Sequence, residues 1–190
     1  MTNTSRNGIA LRDDYRDPQG NGSLTVEHNT VLTPTIGIPV PSPATPNGIV
    51  AGWFHNQAGS HDAAINSPTR LAHNFIEVRG STSIGLVVLS DGAVISHNSV
   101  LMNGGTQTIG ISVGASRCSL SHNEIAGSGL MGIRLSTPTA TNPNSGNTLL
   151  KDDTSDLQAG QAGLVLLSDD NVVKNFEGSI DDQGTGNVIK

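Results

Sequence analysis

Aromatic residues are scarce in this chain: they make up 3% of its 190 residues, with a single tryptophan. The hydrophobic core must therefore be built from Ile, Leu, Val and Ala. Only one cysteine is present, Cys118, so an internal disulfide is excluded and the redox compartment stays open. No apolar run approaches the length of a membrane span, and no segment has the periodicity of an amphipathic helix.

Basic residues are also few. The chain has 10 Lys and Arg against 16 Asp and Glu, which gives a formal net charge of −6. Because nucleic acids are bound by clustered cations, this composition disfavours a nucleic-acid partner. The first ten residues are polar and lack the apolar segment of a signal peptide, so the sequence leaves the localisation unknown. No membrane partner and no cofactor are predicted.

Glycine is abundant, with 23 residues, and two short patterns alternate along the chain. The first pattern is a glycine, an aliphatic residue, any residue and an apolar residue. The second is an aliphatic residue, two further residues, an asparagine, any residue and another aliphatic residue. The first begins at Gly8, Gly48, Gly85, Gly110, Gly132 and Gly163. Clear copies of the second span 26–31, 71–76, 95–100 and 120–125, and weaker copies centre on Asp152 and Asn175.

Each copy of the first pattern is followed by one copy of the second, six times over. The period-two alternation of apolar residues predicts strands, and strands repeated at this spacing predict a solenoid. We therefore expect one domain, 1–190, folded as an all-β, right-handed parallel β-helix of about six coils with three strands per coil. The longer repeats should carry loop insertions, which we place at 32–47, 54–68, 137–147 and 153–162.

In these repeats the chain resembles the right-handed parallel β-helix repeat proteins, a superfold that includes pectate lyases, polygalacturonases, alginate epimerases and periplasmic NosD-like proteins. Residues 95–100 (ISHNSV) and 120–125 (LSHNEI), each preceded by a glycine-led strand, carry the likeness, which covers nearly the whole chain. The resemblance implies the fold and no particular activity, because the superfold hosts many functions. In polysaccharide-acting relatives the substrate groove lies beside the first strand of each coil, where the predicted insertions fall.

The asparagines of the second pattern are expected to have a structural role. A sharp bend separates two strands at this point, and asparagine tolerates the left-handed backbone that such a bend requires. Stacked asparagine side chains would also hydrogen-bond between neighbouring coils. The predicted stack contains Asn29, Asn74, Asn98, Asn123 and Asn175.

Four histidines share the position before this asparagine: His28, His73, His97 and His122. In the last two coils we assign this position to Lys151 and Lys174. The histidines should form a column on the outer side of the bend, spaced by about 4.8 Å. Imidazoles so placed are candidate ligands for a divalent metal. The alternative is a solvated stack in which the rings pack on one another.

A second candidate site lies in the predicted loops beside the first strands. Trp53, His55, His61 and Asp62 combine an aromatic plate with polar groups, which suits a sugar ligand. The alternative is a tryptophan that only packs. No catalytic residues are predicted, because the outward positions of the first strands carry no carboxylate and glycosidases need two.

The leading hypothesis is a noncatalytic β-helix module that binds carbohydrate or serves as a scaffold, with a polysaccharide as its partner. The alternatives are a polysaccharide lyase, hydrolase or epimerase with an unrecognised site, and an oligomeric structural or spike-like component. The chain begins with Met1, so we expect it to be complete, and neither end has a capping helix. Outward-facing Val50, Val87 and Val165 add an apolar face. We therefore expect a homo-oligomer, with a dimer favoured.

Overall fold

The computed structural model describes residues 7–11, 25–33, 47–51, 69–80, 82–103, 105–137, 144–158 and 160–190. Most of the predicted insertions at 32–47 and 54–68, and the centre of the one at 137–147, lie outside these ranges. Within them the regular structure is all strand, and no helix there is long and apolar enough to span a membrane.

The strands are β1 (Asn7–Leu11), β2 (Thr25–Glu27), β3 (Thr30–Leu32), β4 (Asn47–Ala51), β5 (Arg70–Ala72), β6 (Phe75–Val78), β7 (Ile84–Val88), β8 (Val94–Ser96), β9 (Ser99–Asn103), β10 (Ile109–Val113), β11 (Ser119–Ser121), β12 (Glu124–Ser128), β13 (Met131–Leu135), β14 (Thr148–Leu150), β15 (Ala162–Leu166), β16 (Val172–Lys174), β17 (Ile180–Asp182) and β18 (Val188–Ile189).

These strands form three sheets in which every pair is parallel. The first sheet has the order β1-β4-β7-β10-β13-β15-β17, the second β2-β5-β8-β11-β14-β16-β18, and the third β3-β6-β9-β12. The chain visits the sheets in turn, and we call each such passage a rung. Three parallel sheets with successive strands are consistent with a parallel β-helix.

The core lies between the sheets and is aliphatic, as the shortage of aromatic residues requires. In the first sheet Ile111 of β10 pairs with Leu86 of β7 and Ile133 of β13, and all three are fully buried. Ile95 and Leu120 of the second sheet belong to the same buried cluster. The alternation read from the sequence therefore correctly identified these five inward residues.

Replacing Ile133 with alanine should lower the free energy of unfolding by about 2–5 kcal/mol, because the lost methyl groups leave a cavity in a close-packed core. Urea unfolding of the variant measures this change. Leu130→Ala is the control, since Leu130 is 46% exposed and should cost much less. Equal effects of the two substitutions would contradict the assigned alternation.

The third sheet continues past β12 as isolated bridges. Asp153 is bridged to Glu124 on one side and to Glu177 on the other, and Leu157 is bridged to Gly127. The segment 153–162, which we expected to be an insertion, thus includes residues at the place of a third strand.

One strand was not predicted. In β17, Ile180 pairs with Leu164, so Ser179 stands where the earlier first-sheet strands have glycine. The first pattern begins with a glycine, so it does not cover this strand.

Candidate functional site

The structure describes one of the two candidate sites. The four histidines of the predicted column lie within its ranges, whereas Trp53, His55, His61 and Asp62 lie outside them. The loop site therefore stays a prediction from the sequence.

Each column histidine stands at the bend between a strand of the second sheet and the strand that follows. Its backbone is left-handed, with φ 56° at His28, 53° at His73, and 54° at His97 and His122. We expected the following asparagine to take this conformation, and that expectation was wrong. The asparagine side chain must face inward to form its hydrogen bonds. The left-handed conformation that bends the chain is therefore taken by the residue before it.

The four imidazoles are exposed and stack in parallel. Ring centroids are 5.0 Å apart for the first pair and 4.9 Å for the next two, with interplanar angles of 4°, 20° and 6°. Because a Zn–N bond is about 2.0–2.1 Å, two nitrogens on one zinc ion lie within about 4.2 Å of each other. Within the ranges described, no three His, Cys, Asp or Glu residues are grouped closely enough to hold a metal ion. The spacing of the rings along the column, 4.9–5.0 Å, exceeds the nitrogen separation that one zinc ion allows. The geometry therefore favours the packed, solvated stack over a metal site.

The column continues with Lys151 and Asn175, whose φ angles are 57° and 50°. Lys174, which we had assigned to it, pairs instead with Leu150 in the second sheet. This register aligns Asn175 with Lys151 and removes it from the expected asparagine stack. The sequence was misread by one position because two consecutive valines precede Lys174, and the inward one is Val173.

The other four predicted asparagines form a hydrogen-bonded ladder, which we call the asparagine ladder. In each step the backbone N and the side-chain Nδ2 of one asparagine donate to the Oδ1 of the asparagine in the next rung. The two distances are 3.1 and 3.1 Å from Asn29 to Asn74, 3.1 and 2.9 Å from Asn74 to Asn98, and 3.1 and 2.9 Å from Asn98 to Asn123. The ladder satisfies polar groups that the bend buries.

Asp152 occupies the next position of the ladder. Asn123 donates to Asp152 Oδ1 from its backbone N at 2.9 Å and from Nδ2 at 2.8 Å. The side chain is fully buried, and Oδ2 has no hydrogen-bond partner. Burial raises the pKa of this carboxyl to about 6, although the bonds from Asn123 and a weaker interaction with the Leu150 backbone act in the opposite direction. The ladder therefore includes a titratable group inside the core.

A second ladder, at the bend between the first and second sheets, was missed by sequence reasoning. Asn147 donates to Asn171 Oδ1 at 3.0 and 3.1 Å, and Asn171 donates to Asn187 Oδ1 at 2.8 and 2.9 Å. Each follows a residue with positive φ, namely Gly146, Asp170 or Gly186. The Gly/Asp-Asn pair before an apolar strand was the signal available in the sequence.

Arg134 of β13 is unusual among the described arginines. Arg70, Arg79 and Arg117 each pair with a carboxylate, whereas no carboxylate in the described ranges contacts Arg134. Its Nη2 donates to Ser112 Oγ at 2.9 Å, and its Nε is buried without a hydrogen-bond partner. Burial lowers the pKa of this guanidinium. The outer face of the first sheet thus holds a partly desolvated cation.

No known protein family matches this chain, and comparison with curated proteins and with solved structures found no similar one.

Cys118 is not a candidate nucleophile. Its side chain is buried, and its thiol lies 3.5 Å from the carbonyl oxygen of Ser90. Burial raises the pKa of the thiol to about 12, so it stays protonated at neutral pH. The residue acts as a small apolar side chain of the core.

The outward row that contains Arg134 was expected to lack carboxylates, and the structure corrects this at its end. Asp181 of β17 pairs with Val165, so it continues the row one rung beyond β15. The expectation failed because β17 was not predicted. One carboxylate does not supply the acid and base pair of a glycosidase.

Proposed function

We propose that the protein is a noncatalytic β-helix module that binds carbohydrate carrying a carboxylate on the outer face of its first sheet. The observation that supports this proposal is the partial burial of the Arg134 guanidinium. This half-buried guanidinium has no counter-ion among the described residues, which is costly because part of its hydration is lost without replacement. A bound carboxylate would give the guanidinium a counter-charge and a charge-assisted hydrogen-bond partner at its exposed side.

The contact that this row offers to a ligand is Arg134 itself. Ser112 of β10 and Val165 of β15 flank it, but they are only 4% and 5% exposed, whereas the Arg134 side chain is partly exposed. The buried neighbours hold the guanidinium in a partly desolvated place, which strengthens a charge-assisted contact there. Trp53 follows β4 of the same sheet in the sequence but lies outside the described residues, so the predicted sugar-binding residues stay a prediction from the sequence.

The test is a glycan array with neutral and acidic oligosaccharides, followed by calorimetry on the glycans that bind. Arg134→Gln should weaken binding of acidic glycans at least tenfold, because truncating one partner of a desolvated charge pair costs about 2 kcal/mol or more. Arg117→Gln is the matched control, since Arg117 is exposed and pairs with Asp91. Acidic glycans that bind both variants equally well would contradict the proposed site.

The same experiment separates the alternative functions. Bound polysaccharides are incubated with the protein and assayed for new reducing ends, unsaturated products and epimerised sugars. Product formation would favour the lyase, hydrolase or epimerase alternative. A protein that binds no glycan would favour scaffolding, which the two asparagine ladders support because they brace successive rungs.

Two further expectations remain proposals: the right-handed turn with about six coils, and the homo-oligomer. Parallel crossovers are right-handed in nearly all sheets, which supports the handedness. The outward valines proposed as a contact face, Val50, Val87 and Val165, are at most 9% exposed. Self-association through that strip therefore has less support than the sequence suggested, and light scattering at micromolar concentration tests it.

A further inference from the structure

The asparagine ladder follows a second hydrogen-bond rule besides the contacts to Oδ1. In Asn74, Asn98 and Asn123 the other Nδ2 proton goes to a backbone carbonyl in the preceding rung, at the residue three positions before that rung's own asparagine, whereas Asn29 at the start of the ladder donates to Glu27 O in its own rung at 2.9 Å. The three bonds run from Asn74 to Val26, from Asn98 to Leu71 and from Asn123 to Ile95, each at 2.9 Å. Applied to the next position, the rule places the carbonyl of Leu120 opposite the Asp152 side chain.

As a carboxylate, Asp152 makes the hydrogen bonds of an asparagine at Oδ1 but not those at the amide nitrogen. Its Oδ1 accepts both donors from Asn123, as the asparagines do. Its Oδ2 stands where an asparagine has its amide nitrogen, and this oxygen is buried without a partner. An ionised Oδ2 would therefore place one acceptor against another, whereas a protonated Oδ2 is a donor and completes the pattern.

We propose that Asp152 keeps its proton in the folded protein under mildly acidic conditions and donates it from Oδ2 to the carbonyl oxygen of Leu120. The proton then takes the place of the missing amide hydrogen. Loss of the proton breaks this one connection between the rung of β11 and the rung of β14. The ladder thus contains a single position at which a hydrogen bond between two rungs depends on pH.

The surrounding charges do not offset an ionised Asp152. Of its two neighbours in the chain, Lys151 is exposed and Asp153 is half-buried. Glu124 and Glu177 flank Asp153 on the outer side of the bend. On the inner side, the core residues include the apolar Leu149. Burial is accordingly the largest influence on the Asp152 carboxyl, and no charged side chain contributes appreciably.

The direction of the pH dependence follows from these contacts. Burial raises the pKa of Asp152 to about 6 from an ordinary value of 3.8, so the folded state binds this proton more tightly than the unfolded state. The stabilisation from the proton is complete below about pH 4 and is lost as pH rises through about 6. A difference of about two pKa units corresponds to about a 100-fold change in the unfolding equilibrium constant.

Two measurements test the proposal. Carbon-13 NMR of the Asp152 carboxyl in the unmodified protein should show a titration midpoint near pH 6, and a midpoint near or below pH 4 would overturn the proposal. In parallel, urea unfolding between pH 4 and 8 compares the unmodified protein with Asp152→Asn and with Asp156→Asn, which removes the same charge from an exposed position.

Asp152→Asn supplies a permanent donor to Leu120, so the unfolding constant of the unmodified protein divided by that of this variant should rise by about 100-fold between about pH 4 and 7, whereas the same ratio for Asp156→Asn should stay nearly constant. All other titrating groups are common to the unmodified protein and this variant, so the difference between their curves isolates Asp152. An Asp152→Asn protein that fails to fold, or that keeps the full pH dependence, would overturn the proposal.

Discussion

Replacing Gly110 with alanine should destabilise the protein by about 3 kcal/mol or more. A Cβ at this position would lie 2.6 Å from the carbonyl oxygen of Gly132 and 2.7 Å from Cγ2 of Ile125. The first contact is with backbone held in the parallel sheet and the second with a fully buried core side chain, so neither atom has room to move. Overpacking of this kind costs about 1–3 kcal/mol in ordinary cores and more where backbone must shift.

The same constraint applies along the whole glycine column of the first sheet. A Cβ would lie 2.5 Å from the next carbonyl oxygen at Gly48 and 2.6 Å from it at Gly85 and Gly132. In each case the obstacle is the backbone of the next rung, so the close approach of neighbouring strands explains the repeated glycine. Alanine at any of these positions should separate two rungs locally.

Gly114→Ala is the matched control. Gly114 follows β10 in the same rung, but its nearest heavy atom to a new Cβ is Cδ2 of Leu89 at 3.2 Å. A flexible side chain can yield there, so the cost should stay below about 1 kcal/mol. Urea unfolding of the two variants under identical conditions measures the difference. Similar stabilities would mean that the glycine column is not set by rung-to-rung contact.

The repeat could be predicted from the sequence because glycine and inward aliphatic residues recur together in each copy. What the pattern did not reveal was which atoms each residue contacts. The glycines were read as markers of strand starts, whereas they permit close approach of backbones. The left-handed bend was assigned to Asn98 and its equivalents, although the preceding residue, such as His97, adopts it. A one-dimensional pattern does not separate these neighbouring roles.

The errors at the C-terminal repeats have a local cause. Two adjacent valines before Lys174 allow two phases of alternation, and only the pairing of Val173 with Leu149 decides between them. Ser179 in place of glycine concealed β17, and with it the outward carboxylate of Asp181. Arg134 was visible in the sequence as an outward residue, but its desolvation depends on packing that periodicity does not describe.

Breaking the asparagine ladder at Asn98 should have an effect as large as that of Gly110→Ala. In Asn98→Ala, the backbone N–H and one Nδ2 proton of Asn74 lose the acceptor Oδ1, and the carbonyl of Leu71 loses its donor. These groups are buried at the bend, where water does not replace the lost partner. Each stranded group costs about 1–3 kcal/mol, so the total should be about 3 kcal/mol or more.

The control is Asn103→Ala. Asn103 is an exposed residue of β9, and its side chain donates one hydrogen bond, at 3.0 Å, to Glu77 Oε1. Water replaces that partner, so the substitution should cost less than about 1 kcal/mol. Hydrogen exchange adds a local measurement: in Asn98→Ala the amide of Asn74 should exchange faster than in the control, since its acceptor is gone. An Asn98→Ala protein as stable as Asn103→Ala, with the Asn74 amide still protected, would show that the ladder does not carry the stability assigned to it.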